Sequence, residues 1–304
     1  MNHIPLISIA MATHNGAKYI TAQLDSILSQ TYSNIEIVIV DDASTDKTLQ
    51  IIREYQTQYN NIKLIQNQSN IGVVKSFTKA INSSSGEYIA LSDQDDIWLK
   101  YKLQQLVDNI GEAVLIHSDA LLIDKNQNLI SHSHMQYSKF KHYNNFSDYL
   151  LGNNVTGCCC MFKRSFWVQI QPIPDGFYVH DHYLSLMASL YGSIKYYPKA
   201  LVKYRQHNTN MIGAKIHKYD EFISHLQKIK NSIVLLSQCK FTAEYRTELN
   251  NAINYYDALI NSQVVSLQQL RWIYKHVPFK KFIGFVLCTF FGKTIAKILY
   301  NKFR

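Results

Sequence analysis

The chain has 304 residues, of which 47% are hydrophobic and 17% are charged. This composition is typical of one large globular domain or two modest ones, and it excludes an intrinsically disordered chain. The net charge is +9, but eight of the nine excess positive charges follow Asp257, the last acidic residue. The rest of the chain is nearly neutral, so we expect no nucleic-acid partner.

Cysteine usage and the first residues bear on the compartment. Three of the five cysteines are adjacent, at Cys158, Cys159 and Cys160, a spacing that suits neither a disulfide framework nor a zinc site. We expect small buried thiols, with Cys158 and Cys160 on one face of a strand. The first residues carry no basic stretch followed by a long apolar run. We therefore expect a cytoplasmic protein.

Strands and helices alternate through the first hundred residues. Apolar runs predict strands over residues 6–11, 35–40, 62–65 and 88–91, and apolar residues at helical spacing predict helices between them. Uninterrupted apolar strands are typical of a parallel sheet that is covered on both faces. Ligands bind such sheets beyond the carboxyl ends of the strands, and the polar clusters of this sequence lie there.

The second half of the chain is more mixed. Strand-like segments occur at residues 113–116, 155–162 and 194–197, a helix is predicted after Asp181, and the pattern is helical from about residue 216. We expect an α/β catalytic domain over residues 1–215, with a mostly parallel central sheet flanked by helices. A helical C-terminal extension is expected over residues 216–304.

Acidic residues follow two of the predicted strands. Asp93-Gln94-Asp95 offers hard oxygen ligands for Mg²⁺ or Mn²⁺, although a solvated acidic turn or a helix cap is the alternative. Asp41 and Asp42 end the second strand, where a carboxylate can accept hydrogen bonds from a base or a ribose. The alternative for this pair is to cap the next helix, unless a residue between 44 and 46 does so.

Seven motifs resemble those of family 2 glycosyltransferases in order and spacing. They are Ser8–Gly16, Val40–Asp46, Asn70–Gly72, Ser92–Trp98, Asn154–Cys158, His180–Tyr183 and Tyr204–His207. The resemblance covers roughly residues 5–215 and implies the GT-A fold. The Asp-Gln-Asp-Asp-Ile-Trp form is similar to the branch that contains bacterial rhamnosyltransferases of O-antigen and capsule assembly.

The resemblance implies a role for each matching residue. It implies that Asp95 is a metal ligand and that Asp181 is the catalytic base. The residues implied to contact the nucleotide-sugar are Thr13, Asn15, Asp42 and Asp93. An inverting transfer also needs one carboxylate near the acceptor hydroxyl, which supports Asp181 independently. The alternative is that Asp181 caps the helix that follows it.

Five further residues are candidates for the same site. His180, His182 and Tyr183 flank Asp181 on the acceptor side, where many relatives carry an aromatic residue directly after the acid and this sequence has His182. The resemblance implies that His207 completes the metal site, whereas the alternative is a histidine in an ordinary hydrogen bond. Arg205 offers a planar fork to a phosphate of the nucleotide.

A basic, aromatic tail occupies residues 265–304. Its apolar run at 282–291 is shorter than the roughly 20 residues that span a bilayer, and lysines follow it. We expect this tail to lie on an anionic membrane surface, at the inner face of the cytoplasmic membrane. The alternative is a C-terminal helix packed on the catalytic domain.

These observations together predict an enzyme of glycan assembly. The resemblance implies inverting, Mn²⁺- or Mg²⁺-dependent transfer of L-rhamnose from dTDP-rhamnose to a hydroxyl of a lipid-linked or oligosaccharide acceptor. A UDP-hexose-dependent transferase and an inactive scaffold of a glycan-assembly complex remain as alternatives. A sugar-nucleotide pyrophosphorylase is disfavoured, because Thr13-His14-Asn15-Gly16 lacks the glycine-rich basic loop of those enzymes.

Overall fold

A computed structural model describes residues 4–143, 145–207, 219–239, 243–261, 263, 265–277, 282–283, 285–286 and 289. The chain divides into two compact units. The first takes Met1–His142, Asn154–Ile173 and Val179–Gly213, and the second takes Tyr143–Asn153, Pro174–Tyr178 and Ala214–Arg304. The second unit thus includes two short segments from within the predicted catalytic domain. A single boundary at residue 215 stays a prediction.

The first part of the first unit follows the predicted alternation. Its elements are β1 (Ile7–Thr13), α1 (Ile20–Leu28), β2 (Ile35–Asp41), α2 (Thr48–Gln58), β3 (Ile62–Gln66), α3 (Val73–Asn82) and β4 (Tyr88–Ser92). Each of the four apolar runs is a strand, and each runs one or two residues beyond the prediction toward its carboxyl end. The last residue of each strand is polar: Thr13, Asp41, Gln66 and Ser92.

The remaining elements of this unit extend the same sheet. They are β5 (Ile97–Trp98), α4 (Lys102–Ile110), β6 (Leu115–Asp124), β7 (Leu129–Ser131), α5 (His134–Tyr137), β8 (Cys160–Lys163), α7 (Arg164–Ile170), α8 (His180–Tyr191) and β9 (Ile194–Gln206). A short helix of the second unit, α6 (Phe146–Leu150), lies between α5 and β8 in sequence.

One sheet joins all of these strands in the order β3-β2-β1-β4-β8-β6-β9-β5, with β7 beside β6. The pairs among β3, β2, β1 and β4 are parallel, and so is the pair of β6 with β9. Strand β8 is antiparallel to both β4 and β6. The expectation of a mostly parallel central sheet flanked by helices is confirmed.

The core forms because the central strands bury both faces. In β1, Ile7, Ile9, Ala10 and Met11 have no exposed surface, and α1 packs Leu24 into the same cluster. Burying a side chain of isoleucine size contributes about 1.5–3 kcal/mol, so the four central strands supply a large part of the folding free energy. This packing holds the carboxyl ends of the strands at fixed positions.

The predicted strand over residues 155–162 is wrong in its first half. Gly157–Cys159 form a 3₁₀ turn, and the strand begins only at Cys160. The Cys159 N–H donates to the Thr156 carbonyl at 2.9 Å, so it is not available for the sheet. Cys158 and Cys160 therefore do not share a strand face, although all three adjacent thiols are buried as expected.

The second unit is helical, as predicted for the C-terminal extension. It contains α9 (Tyr219–Ser237), α10 (Ala243–Asn261) and α11 (Leu267–His276). Ile233, Leu236 and Leu249 are buried, and a capping box of Ser266 and Gln269 starts α11. No helix within the described part of the chain has the length and apolar character to cross a bilayer. Most of the predicted tail beyond Val277 lies outside the described residues.

Candidate functional site

The carboxyl ends of the parallel strands meet at one edge of the sheet. Thr13 of β1 pairs with Asp41 of β2, Asp41 pairs with Gln66 of β3, and Met11 of β1 pairs with Ser92 of β4. The loops that follow β1, β2, β3 and β4 therefore start side by side. This register brings the predicted polar clusters of the first hundred residues together.

Thr13 and Asn15 connect the first loop to the second. The Thr13 hydroxyl donates to Asp41 Oδ2 at 3.1 Å. The Asn15 N–H donates to Ser44 Oγ at 2.9 Å, and its Oδ1 accepts the Thr45 N–H at 2.8 Å. Asn15 adopts a positive φ of 50°, a conformation that asparagine tolerates better than most residues. Their predicted contact with the nucleotide stays a prediction.

Asp42 holds the third loop. Its carboxylate accepts hydrogen bonds from the Asn67 side chain and from the Ile71 and Gly72 N–H groups, each at 2.9 Å. Although burial raises it, these bonds lower the pKa of Asp42 overall. Asp42 does not cap α2, because that helix begins at Thr48, whose N–H donates to Asp46 Oδ1. The predicted contact of Asp42 with the base stays a prediction.

Asp95 and His207 lie together, although they are far apart in sequence. Asp95 Oδ2 is 2.7 Å from His207 Nε2, and both side chains are about nine-tenths buried. The His207 ring also stacks on Tyr19, with 5.2 Å between centroids. The fold thus joins the loop after β4 to the end of β9. A carboxylate oxygen beside an imidazole nitrogen is a ligand pair that Mn²⁺ accepts.

Arg205 fixes the backbone of the acidic loop. Its Nε donates to the Asp95 carbonyl at 2.7 Å, and its own N–H donates to Asp96 Oδ1 at 2.9 Å. The guanidinium lies 4.7 Å from the centroid of the Tyr19 ring and the side chain is only 2% exposed. These contacts orient Asp95 toward His207. The predicted contact of Arg205 with a phosphate stays a prediction.

Several acids share this small region. Burial, together with the nearby carboxylates of Asp95 and Asp181, raises the pKa of Asp93 to about 7. Burial, together with the nearby carboxylates of Asp95 and Asp93, also raises the pKa of Asp96 well above its ordinary value. Among the described residues, donor atoms of Asp93, Asp96 and Cys158 lie within 4.8 Å of one another. Such crowding favours a cation, and the two carboxylates fit a hard divalent metal, whereas the thiol of Cys158 suits softer metals.

Asp181 lies in the first turn of α8, whose N-cap is Val179. Its Oδ2 accepts the Gly157 N–H at 3.1 Å. Burial raises the pKa of Asp181 to about 6, although the N–H groups of Gly157 and His182 lower it in part. A partly buried carboxylate with this pKa is deprotonated at neutral pH and is a stronger base than an exposed one. Because Val179 is the N-cap of α8, Asp181 does not cap this helix, and the alternative prediction is wrong.

The residues flanking Asp181 pack inside the first unit. His180, His182 and Tyr183 are 8%, 3% and 4% exposed. The His180 ring stacks on Phe77, with 4.0 Å between centroids, and burial lowers the pKa of His180 to about 3. The Tyr183 hydroxyl donates to the Ile170 carbonyl. Their predicted place on the acceptor side stays a prediction, and the observed contacts give them packing roles.

Three residues of the site have no role among the predictions made from the sequence. Tyr19 contacts both Arg205 and His207, as described above. Gln94 Oε1 accepts the His14 N–H at 2.9 Å, and its Nε2 donates to the His14 carbonyl at 3.1 Å. Lys102 is buried and donates to the Cys158 carbonyl at 2.6 Å. The sequence predicted that Gln94 lies in a loop, but it did not predict the hydrogen bonds of Gln94 to His14.

Several known proteins are similar to this chain in sequence. An uncharacterized glycosyltransferase of Haemophilus influenzae is 26% identical over 83% of this chain and 84% of its own length. The dTDP-rhamnosyl transferase RfbG of Shigella flexneri is 31% identical over 68% of this chain and 74% of its own. Other relatives match over less than half their length, among them the putative glycosyltransferase EpsE of Bacillus subtilis at 39%.

Solved structures share the fold at low sequence identity. The mannosyltransferase PcManGT from Pyrobaculum calidifontis, in complex with GDP-Man and Mn²⁺, has a TM-score of 0.59 at 16% identity, covering 99% of this chain and 80% of that one. Residues 1–349 of S. aureus TarS, in complex with UDP-GlcNAc, give 0.57 at 20% identity, covering 92% and 81%. The sequence profile described as Glycosyl transferase family 2 matches residues 8–169. The chain therefore belongs to glycosyl transferase family 2.

Proposed function

We propose that this glycosyltransferase catalyses inverting transfer of L-rhamnose from dTDP-rhamnose to a hydroxyl of a lipid-linked or oligosaccharide acceptor. The observation that carries the proposal is the pairing of Asp95 Oδ2 with His207 Nε2 at 2.7 Å, at the same sheet edge as Asp93. Asp181, held by the Gly157 N–H, supplies a separate carboxylate. Asp95 and His207 would act on the diphosphate of the donor, and Asp181 would act on the hydroxyl of the acceptor.

The proposed reaction is a single displacement. The Asp181 carboxylate accepts the proton of the acceptor hydroxyl while the hydroxyl oxygen bonds to the anomeric carbon and the bond to the diphosphate breaks. Asp95 and His207 would hold a divalent cation, which when bound neutralises charge on the leaving nucleoside diphosphate. Thr13 and Asn15 would line the nucleotide side of the pocket, with Arg205 fixing the acidic loop.

The alternatives differ in what the site must contain. An inactive scaffold has no need of the acids, yet Asp42, Asp93, Asp95 and Asp181 are all present. A UDP-hexose-dependent transferase would have the same acids and differs only in the pocket for the sugar and base. The rhamnose assignment is supported by the motif from Ser92 to Trp98 and by the similarity to RfbG.

Metal removal tests the ligand pair. We expect excess EDTA to abolish transfer, because without the metal ion the departing diphosphate lacks a positive charge to offset its own. Added Mn²⁺ should restore transfer. Asp95→Ala and His207→Ala should each lower kcat by at least about 100-fold. Asp108→Ala and His132→Ala are matched controls on exposed side chains and should stay near wild type. Full activity of the metal-free enzyme would refute this assignment.

The role of Asp181 predicts a pH dependence. Its raised pKa of about 6 means that the carboxyl is protonated below that pH and cannot accept a proton. We expect kcat to fall with decreasing pH through an apparent pKa near 6. Asp181→Asn should lower kcat by about 1000-fold while the Kd for the nucleoside diphosphate stays within about twofold. Parallel losses of affinity and turnover would indicate a structural role instead.

A panel of sugar donors tests the proposed specificity. Release of nucleoside diphosphate should be at least about tenfold faster with dTDP-L-rhamnose than with UDP-glucose, UDP-galactose or UDP-GlcNAc, measured with Mn²⁺ at equal concentrations. The metal-site variant Asp95→Ala provides the background rate. Faster release from a UDP-hexose would replace the rhamnose assignment but would leave the glycosyltransferase assignment intact.

We also propose that the second unit binds the inner face of an anionic membrane. In α11, Leu267, Arg271 and Tyr274 lie on one face, and Leu267 and Tyr274 are 78% and 59% exposed. Lys275 borders this face and is exposed. The opposite face packs Ile273 within the unit. An exposed face that combines aromatic, apolar and basic residues suits the membrane interface.

Charge reversal tests this surface without removing the buried face of α11. Each basic residue near an anionic surface contributes about 1 kcal/mol, so R271E with K275E should sharply reduce co-sedimentation with phosphatidylserine vesicles. The control K195E with K199E reverses two exposed lysines of the first unit and should sediment as wild type. Added salt should weaken wild-type binding. Equal sedimentation of both double variants would rule out this face as the membrane contact.

A further inference from the structure

Lys102 is buried in a position that disfavours its charge. It is the first residue of α4 and has no exposed surface. Lysine is rarely fully buried, and the dipole at a helix N-terminus opposes a positive charge. Burial lowers the pKa of Lys102 to about 8. Among the described residues, no carboxylate forms an ion pair with its ammonium, so charge pairing alone does not explain its place.

The Lys102 ammonium connects two segments of the site. Its Nζ donates to the Cys158 carbonyl at 2.6 Å. The same atom lies 3.2 Å from the centroid of the Trp98 ring, where the aromatic face attracts a cation. Trp98 is buried in β5, next to the acidic loop. Lys102 therefore fixes the 3₁₀ turn at Gly157–Cys159 against the end of the acidic loop.

The residue before Cys158 contacts Asp181 directly. The Gly157 N–H donates to Asp181 Oδ2 at 3.1 Å. There is little room for this turn to move, since a Cβ at position 157 would lie 3.0 Å from His180 Nε2 and 3.6 Å from Asp181 Oδ2. The orientation of the peptide between Thr156 and Gly157 thus decides whether Asp181 receives this hydrogen bond. That peptide lies two units before the one whose carbonyl Lys102 binds, within the same 3₁₀ turn.

We propose that Lys102 is a positioning residue for Asp181, which it holds through the Cys158 carbonyl and the Gly157 N–H. This inference rests on the proposed role of Asp181 as the catalytic base. No bond is made or broken at Lys102 itself. Its function is to keep one N–H directed at the carboxylate that accepts the proton.

The direction of the effect follows from the hydrogen bond. An N–H that donates to a carboxylate stabilises the charged form and lowers its pKa. If the turn shifts, the pKa of Asp181 rises and a smaller fraction of the enzyme carries the base at a given pH. Among the residues that the structure describes, the titratable groups around Asp181 include Asp93 after β4, Cys160 in β8, and the flanking His180 and His182.

A competing explanation is that Lys102 supplies only charge. Its ammonium lowers the pKa of Asp93, so loss of the charge alone would alter the acidic loop. Two variants separate the explanations. Lys102→Met keeps the shape of the chain and removes both the charge and the hydrogen bond. Gly157→Ala keeps the ammonium and displaces the turn from α8 through the contact with His180.

The experiment measures kcat, KM for the sugar donor and the pH profile of kcat for the full-length chain. For Lys102→Met we expect the acidic limb of the pH profile of kcat to move up by about one pH unit, with KM within about twofold. Such a shift lowers kcat roughly twofold at pH 7 and roughly tenfold at pH 5. Gly157→Ala should raise the acidic limb in the same direction. Lys100→Met, which changes an exposed neighbouring lysine, should match wild type.

Folding is controlled by circular dichroism and by nucleoside diphosphate binding. Lys102→Met should fold, because replacing a buried amine by an apolar chain removes a desolvation cost. If it does not, Trp98→Phe loosens the same amine without removing its charge and should shift the limb in the same direction by a smaller amount. The inference would be overturned if the acidic limb of the pH profile of kcat stayed in place in the folded variants. It would also be overturned if that limb moved in Lys102→Met but not in Gly157→Ala. Full activity of Asp181→Asn would instead overturn the proposed base.

Discussion

Crowding of negative charge at one edge of the sheet is the constraint on which the site depends. The acidic loop after β4 carries Asp93, Asp95 and Asp96, and Asp181 is near enough to raise the pKa of Asp93. A buried carboxylate is costly unless hydrogen-bond donors or cations face it. The first unit meets this need locally, since His207 lies against Asp95 and the Arg205 N–H donates to Asp96.

The same constraint separates the two halves of the proposed reaction. On the proposed side of the sugar donor, acids are concentrated where a divalent cation would offset both their negative charge and that of a diphosphate. Asp181, the proposed base for the acceptor, lies in the first turn of α8, where the helix dipole favours its negative charge. Burial strengthens it as a base while the Gly157 N–H keeps it ionised. Lys102 links the two sides through the turn at Gly157–Cys159.

The sequence predicted the sheet and the location of the acids because both depend on local pattern. Apolar runs mark strands that are buried on two faces, and the polar residues after them must lie at the carboxyl edge. The family resemblance predicted that Asp95 and His207 belong to one metal site. The distance between their side chains is known only from the structure. Lys102 was missed because a lysine at a helix start usually faces water. The donors to Asp42 were missed because long-range hydrogen bonds leave no local pattern.

The anomeric configuration of the product tests the central claim most directly. Transfer from dTDP-β-L-rhamnose to a synthetic oligosaccharide acceptor, followed by NMR of the new glycosidic bond, reports how the reaction proceeds. A single displacement with Asp181 as the only base requires inversion, so the account predicts an α-linked product. A β-linked product would mean that configuration is retained, which would contradict both the single displacement and the role assigned to Asp181.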